Sequence, residues 1–94
     1  LIKQPVCNEA YRLLAFYNKY LGCVYQRVAD LFYEGIGTAQ DDAEAFRYYQ
    51  LAEECYYTQI ADGDKYHADQ IPVVIERQKK LRKRIQKKLP KYEF

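Results

Sequence analysis

The side chains able to do chemistry in this chain are few: one histidine, His67, three cysteines, Cys7, Cys23 and Cys55, and thirteen carboxylates. A zinc site needs three or four converging ligands, and His67 has no cysteine near it in sequence, only Asp64 and Asp69. It reads as a surface histidine, and no metal site and no cofactor site are expected. The cysteines are widely spaced and form no Cys-x-x-Cys pair, which argues against a disulfide framework and a zinc knuckle. They read as reduced, buried structural thiols, which places the chain inside the cell, in cytoplasm or nucleus. The acidic pairs Asp41-Asp42 and Glu53-Glu54 do not suit acid–base work, because neighbours on a helix point about 100° apart. Gly35-Ile36-Gly37 lacks the third glycine and the lysine of a phosphate loop. With no Gly-x-Ser-x-Gly, His-Glu-x-x-His or cysteine–histidine arrangement in the sequence, no catalytic residue and no small-molecule substrate are expected.

The strongest signal outside structure is basic. Arg77, Lys79, Lys80, Arg82, Lys83, Arg84, Lys87, Lys88 and Lys91 crowd the end of the chain, opposed by Glu93 alone after residue 76. From Val28 to Glu76 eleven acidic residues face Arg47 and Lys65, so a net charge of +2 conceals strong polarisation. Such a chain either lays its basic end along its acidic body or shows two charged surfaces to partners. Arg77, Lys80, Arg84, Lys87 and Lys91 recur in steps of three and four along one edge, and the first four are the candidates for binding phosphates, acidic lipids or an acidic protein. Nucleic acid is the weaker option, because the run lacks interleaved aromatics for base stacking. Eleven tyrosines in 94 residues add a second candidate surface, since tyrosine buries its ring and keeps a polar hydroxyl. Tyr25, Tyr33 and Tyr48 are the candidates for lining a partner groove.

These residues need elements to position them. Ninety-four residues supply one core and so one domain, and the apolar share of 49% excludes a disordered tract. Arg12, Lys19, Arg27 and Asp30 interrupt every apolar run before it reaches the roughly 20 residues that span a bilayer. The chain begins at Leu1 without a leader pattern and reads as a segment of a larger protein.

The apolar spacing predicts an all-α fold of about four antiparallel helices, over residues 5–20, 22–34, 41–61 and 70–89. Val6, Ala10, Leu13 and Tyr17 mark the first, and Pro5 suits its first turn. Tyr20-Leu21-Gly22 either ends that helix or loosens it, because Val24, Val28, Leu31 and Phe32 carry a stripe onward to Glu34. Gly35 and Gly37 stop the stretch, Asp41 stands at the next N-cap, and Glu44 completes a variant capping box. Ala45, Tyr49, Ala52, Tyr56 and Ile60 then form one inner face. Asp62-Gly63-Asp64 is a turn, and Pro72 fits only near the start of a last helix with the stripe Ile71, Val74, Gln78, Leu81 and Ile85. That narrow stripe suits packing along one seam, within the chain or as a coiled-coil-like contact between two copies.

The stretch Val28-Ala29-x-x-Phe32-x-x-Gly35-x-Gly37-Thr38-x-x-Asp41-x-x-x-Ala45-x-x-Tyr48-Tyr49-x-x-Ala52 resembles the Sel-one-like repeat, a relative of the tetratricopeptide repeat. It departs from that pattern with Val28 for Leu, Ala29 for Gly and Thr38 for Val. Thirteen positions separate Phe32 from Ala45, about four more than a plain tetratricopeptide repeat allows. The resemblance implies a helical hairpin over about 22–61, stacked among other helices and used as a scaffold for a protein partner. Residues 25–89 are also similar to the microtubule-interacting-and-trafficking domain, a three-helix bundle with an Ala-x-x-Tyr-Tyr second helix and a long charged third. Both resemblances imply an adaptor that binds a partner helix or peptide and does no chemistry.

Overall fold

The computed structural model of the chain describes residues 5–89, with side chains from 20 to 89. It contains three α-helices and a short 3-10 turn, and no strand among the described residues. Helix α1 runs Pro5–Glu34, α2 Asp42–Ala61 and α3 Ile71–Lys88, with the 3-10 turn at Ala68–Gln70 leading into α3. The apolar stripe expected over residues 6–17, Cys7, Pro90 and Lys91 lie outside the described side chains.

Three helices replace the expected four because α1 continues through Gly22. Gly22 is not a stop but a point of close approach: a Cβ built there would lie 2.7 Å from Tyr56 Cε1 and 3.2 Å from Cys55 Cβ. Glycine's absent side chain is the space the Tyr56 ring fills, and burying that ring outweighs glycine's weak helix propensity of about 1 kcal/mol. The inner face of α1 is accordingly shifted from the stripe read in the sequence. Ala29 is fully buried, whereas Val24 is 53% exposed.

Helix α1 ends at Gly35 with φ +71°. The Gly35 and Ile36 amides both donate to the Leu31 carbonyl, at 2.8 and 3.0 Å, which closes the helix end in the manner a left-handed residue permits. Gly37 takes φ +72°, and Gln40 Nε2 donates to the Tyr33 carbonyl at 2.9 Å. Asp41 caps α2 as expected, its carboxylate accepting from the Glu44 amide at 3.0 Å. The reciprocal half of the capping box does not form. The Asp41 amide donates instead to the Phe32 carbonyl at 3.1 Å, tying the two helices together, and the Glu44 carboxylate turns outward to Arg47.

Helix α2 lies between α1 and α3, which share no extended interface. Its buried stripe is Asp42, Ala45, Tyr49, Ala52, Tyr56 and Gln59, with Ile60 half-buried. Val74, Gln78 and Leu81 of α3 are buried, and Ile71 packs against the same core. The α3 stripe is thus used inside the chain, so the coiled-coil-like seam between copies loses the residues it required.

Candidate functional site

Folding divides the predicted binding residues among three places. Tyr25 and Tyr48 come together: their ring centroids are 5.9 Å apart, and Tyr48 stacks on Phe32 at 6.0 Å with the planes 7° apart. The Arg47 guanidinium lies 4.4 Å from the Tyr48 centroid. The ring partners of this group belong to α1 and α2 alone, and its members are half-buried, leaving an aromatic platform partly open to water.

Tyr33 is not part of that platform. It packs edge-on against Tyr49 at 6.2 Å and lies beneath both Arg77 and Arg84, each guanidinium 4.7 Å from its ring centroid. Arg77 reaches Asp30 at 3.2 Å, Glu34 at 3.7 Å and the Tyr49 hydroxyl at 3.1 Å. The Tyr49 hydroxyl also donates to Asp30. Burial, then the hydrogen bond to Asp30 and its charge, push the Tyr49 phenol well above its ordinary value, so it stays a donor. Arg84 pairs with Asp42 through two nitrogens, and Lys88 meets the same carboxylate at 3.1 Å. Burial alone would raise the Asp42 carboxyl, but hydrogen bonds and charge from Arg84 and Lys88 overcome it and hold the group below the usual aspartate range.

Two members of the predicted basic edge, Arg77 and Arg84, are therefore engaged within the chain and half-buried. Arg77 and Arg84 clamp α3 to α1 and to the start of α2, while Lys80 and Lys87 point outward with Lys79 and Lys83. These four lysines are exposed and make no ion pair among the described residues. Arg82 lies 5.5 Å from the Phe46 centroid and is also exposed.

A fourth place, holding none of the predicted binding residues, was not legible in the sequence. His67 is not a free surface group: its Nε2 lies 3.0 Å from Cys23 Sγ and its Nδ1 3.1 Å from Gln59 Oε1. A cysteine–histidine arrangement is thus present, formed by residues 44 positions apart. The imidazole sits between Tyr56, at 5.5 Å, and the edge of Tyr66, at 4.7 Å. Beside the pair opens a cleft of about 400 Å³ whose wall includes Cys23, Gln26, Arg27, Asp69 and Gln70. Tyr56 donates to Gln26 Oε1, and Gln26 donates to Gln70 at 3.0 Å, which fixes the wall between α1 and the 3-10 turn. The signal that sequence reading lacked is the packing of the α2–α3 connection against α1.

Among the described residues no group of three histidine, cysteine or carboxylate side chains is placed to hold a metal ion, and no helix is long and apolar enough to cross a membrane. Comparison of the chain with family models, with curated proteins and with solved structures gave no match.

Proposed function

We propose that the chain is a non-enzymatic interaction module that takes a partner helix or peptide on the α1–α2 face carrying Tyr25, Phe32 and Tyr48. The observation that carries this reading is the partly open aromatic platform with Arg47 on its rim, the residue types that dominate binding energy at protein interfaces. The layering supports it: α2 contacts both neighbours while α1 and α3 share little, as in stacked helical arrays whose outer faces carry partners. That layering favours a Sel-one-like hairpin over a closed three-helix bundle, with Gly35, Gly37 and Asp41 as its turn and cap.

Selection of a displayed peptide library on the folded chain tests this. Enriched peptides are expected to lose tenfold or more in affinity on Tyr48→Ala, about 1.4 kcal/mol, and to shift backbone resonances between residues 25 and 48. Peptides that bind the variant as tightly as the parent, or no enrichment over an unrelated helical bundle, would overturn it.

A second reading rests on the outward lysines. Lys79 and Lys83, and Lys83 and Lys87, stand four apart, like charges at that spacing cost a helix about 0.2–0.5 kcal/mol per pair, and none of the three makes an ion pair among the described residues. An anionic partner, membrane surface or nucleic acid, would relieve that repulsion. Reversing Lys80, Lys83 and Lys87 to glutamate, which leaves the Arg84–Asp42 pair intact, should abolish salt-sensitive retention on anionic vesicles and on heparin. Retention that survives the reversal would sink it.

A further inference from the structure

We propose that Cys23 is a reactive thiol, activated by His67 and oriented through Gln59, that undergoes thiol–disulfide exchange with small disulfides entering the cleft beside it. Three features of the geometry converge on this assignment. The first is the contact of Cys23 Sγ with His67 Nε2 at 3.0 Å, close enough for the thiol proton to pass to the ring. The second is Gln59, which is 2% exposed and places its Oε1 3.1 Å from His67 Nδ1. Its Nε2 has no hydrogen-bond partner among the described residues, and the imidazole contact is made through Oε1. The tautomer that carries its proton on Nδ1 donates it to Gln59 Oε1 and turns the Nε2 lone pair toward the sulfur, and this is the form the proposal uses. A nucleophile, a base and a third group that orients the base form the recurrent logic of activated cysteines. The third feature is access: Cys23 and His67 both line the cleft of about 400 Å³, which is wide enough for a small molecule.

The exchange balances without any further reagent. His67 Nε2 takes the Cys23 proton, and the sulfur attacks one sulfur of the incoming disulfide. A Cys23–S bond forms while the incoming S–S bond breaks, and the departing sulfur keeps the electron pair. It takes the proton back from His67 and leaves as a thiol. Cys23 is thereby oxidised to the disulfide level and the departing half of the reagent is reduced.

Cys55 supplies an internal comparison. It is half-buried like Cys23, but the imidazole's thiol contact among the described residues is to Cys23, and burial together with Glu54 pushes the Cys55 thiol up.

The reduced full chain is treated with bis(2-hydroxyethyl) disulfide, a small neutral disulfide, and the rate at each cysteine is read by peptide mass spectrometry. Cys23 is expected to react at least tenfold faster than Cys55 in native buffer and at a similar rate in denaturant. His67→Gln should remove most of the native advantage, and His67→Gly should regain part of it on addition of imidazole. Equal native rates at Cys23 and Cys55 would overturn the proposal, as would an unchanged rate in a His67→Gln protein that keeps its helical circular dichroism. Should neither variant fold, the native-to-denatured comparison on the unaltered chain decides the matter alone.

Discussion

At Gly22 two opposing effects can be weighed. Alanine would add about 1 kcal/mol of helix propensity, but its Cβ would meet the Tyr56 ring at 2.7 Å. Tyr56 is 1% exposed and cannot swing aside. Overpacking of this kind costs about 1–3 kcal/mol, so Gly22→Ala should lower the Tm measured by circular dichroism. Gly37 offers a contrast. Its Cβ would meet nothing within 4 Å, and its φ of +72° alone sets the cost, about 1–2 kcal/mol for an L-residue. Asp42 is the third decisive residue. Its side chain is nearly inaccessible and holds two cations, of which Lys88 is largely exposed. Asp42→Asn weakens the pairing with Arg84 and Lys88 and should cost about 1–3 kcal/mol in urea denaturation.

At the scale of elements, α3 is held by two fully buried apolar anchors, Val74 and Leu81, and by polar clamps from Arg77, Gln78 and Arg84. Leu81→Ala removes one anchor at a cost of about 2–5 kcal/mol. Because α3 leans on α2 and shares little with α1, the loss should fall unevenly. Hydrogen exchange is expected to accelerate through residues 71–88 before it does so in the α1–α2 pair, since weakly tied elements open first. Uniform acceleration across all three helices would show instead that the array unfolds as one cooperative unit.

For the whole molecule, charge polarisation becomes an internal strap. The basic end of the chain lies along the acidic body at Asp30, Glu34 and Asp42, so acid should loosen the fold. The Asp42 carboxyl is held lower in the folded chain than the roughly 3.9 of an unperturbed aspartate. Its contribution is therefore complete above that unfolded value and is lost as pH falls through the lower folded one. Urea midpoints measured from pH 6 downward should begin to drop near pH 4. The drop should be shallower in Asp42→Asn, which has no carboxylate there to protonate.

The sequence by itself determined the helical class, the turn at Gly35 and Gly37, the Asp41 cap, the inner faces of α2 and α3 and the start of α3 near Pro72. These follow from local rules: backbone freedom at glycine, a side-chain cap for free amides, and a period near 3.6 in apolar residues. Only the tertiary structure decided whether Gly22 breaks a helix or admits a ring, because the answer depends on which side chain arrives from another element. The same holds for Arg77 and Arg84 against Lys80 and Lys87, because which of these cations meets Asp30, Glu34 or Asp42 depends on what lies opposite it on α1 and α2. It holds most of all for Cys23 and His67, whose contact joins α1 to the α2–α3 connection across 44 residues. Spacing along a chain reports neighbours on one helix, and contacts between helices depend on how their faces meet.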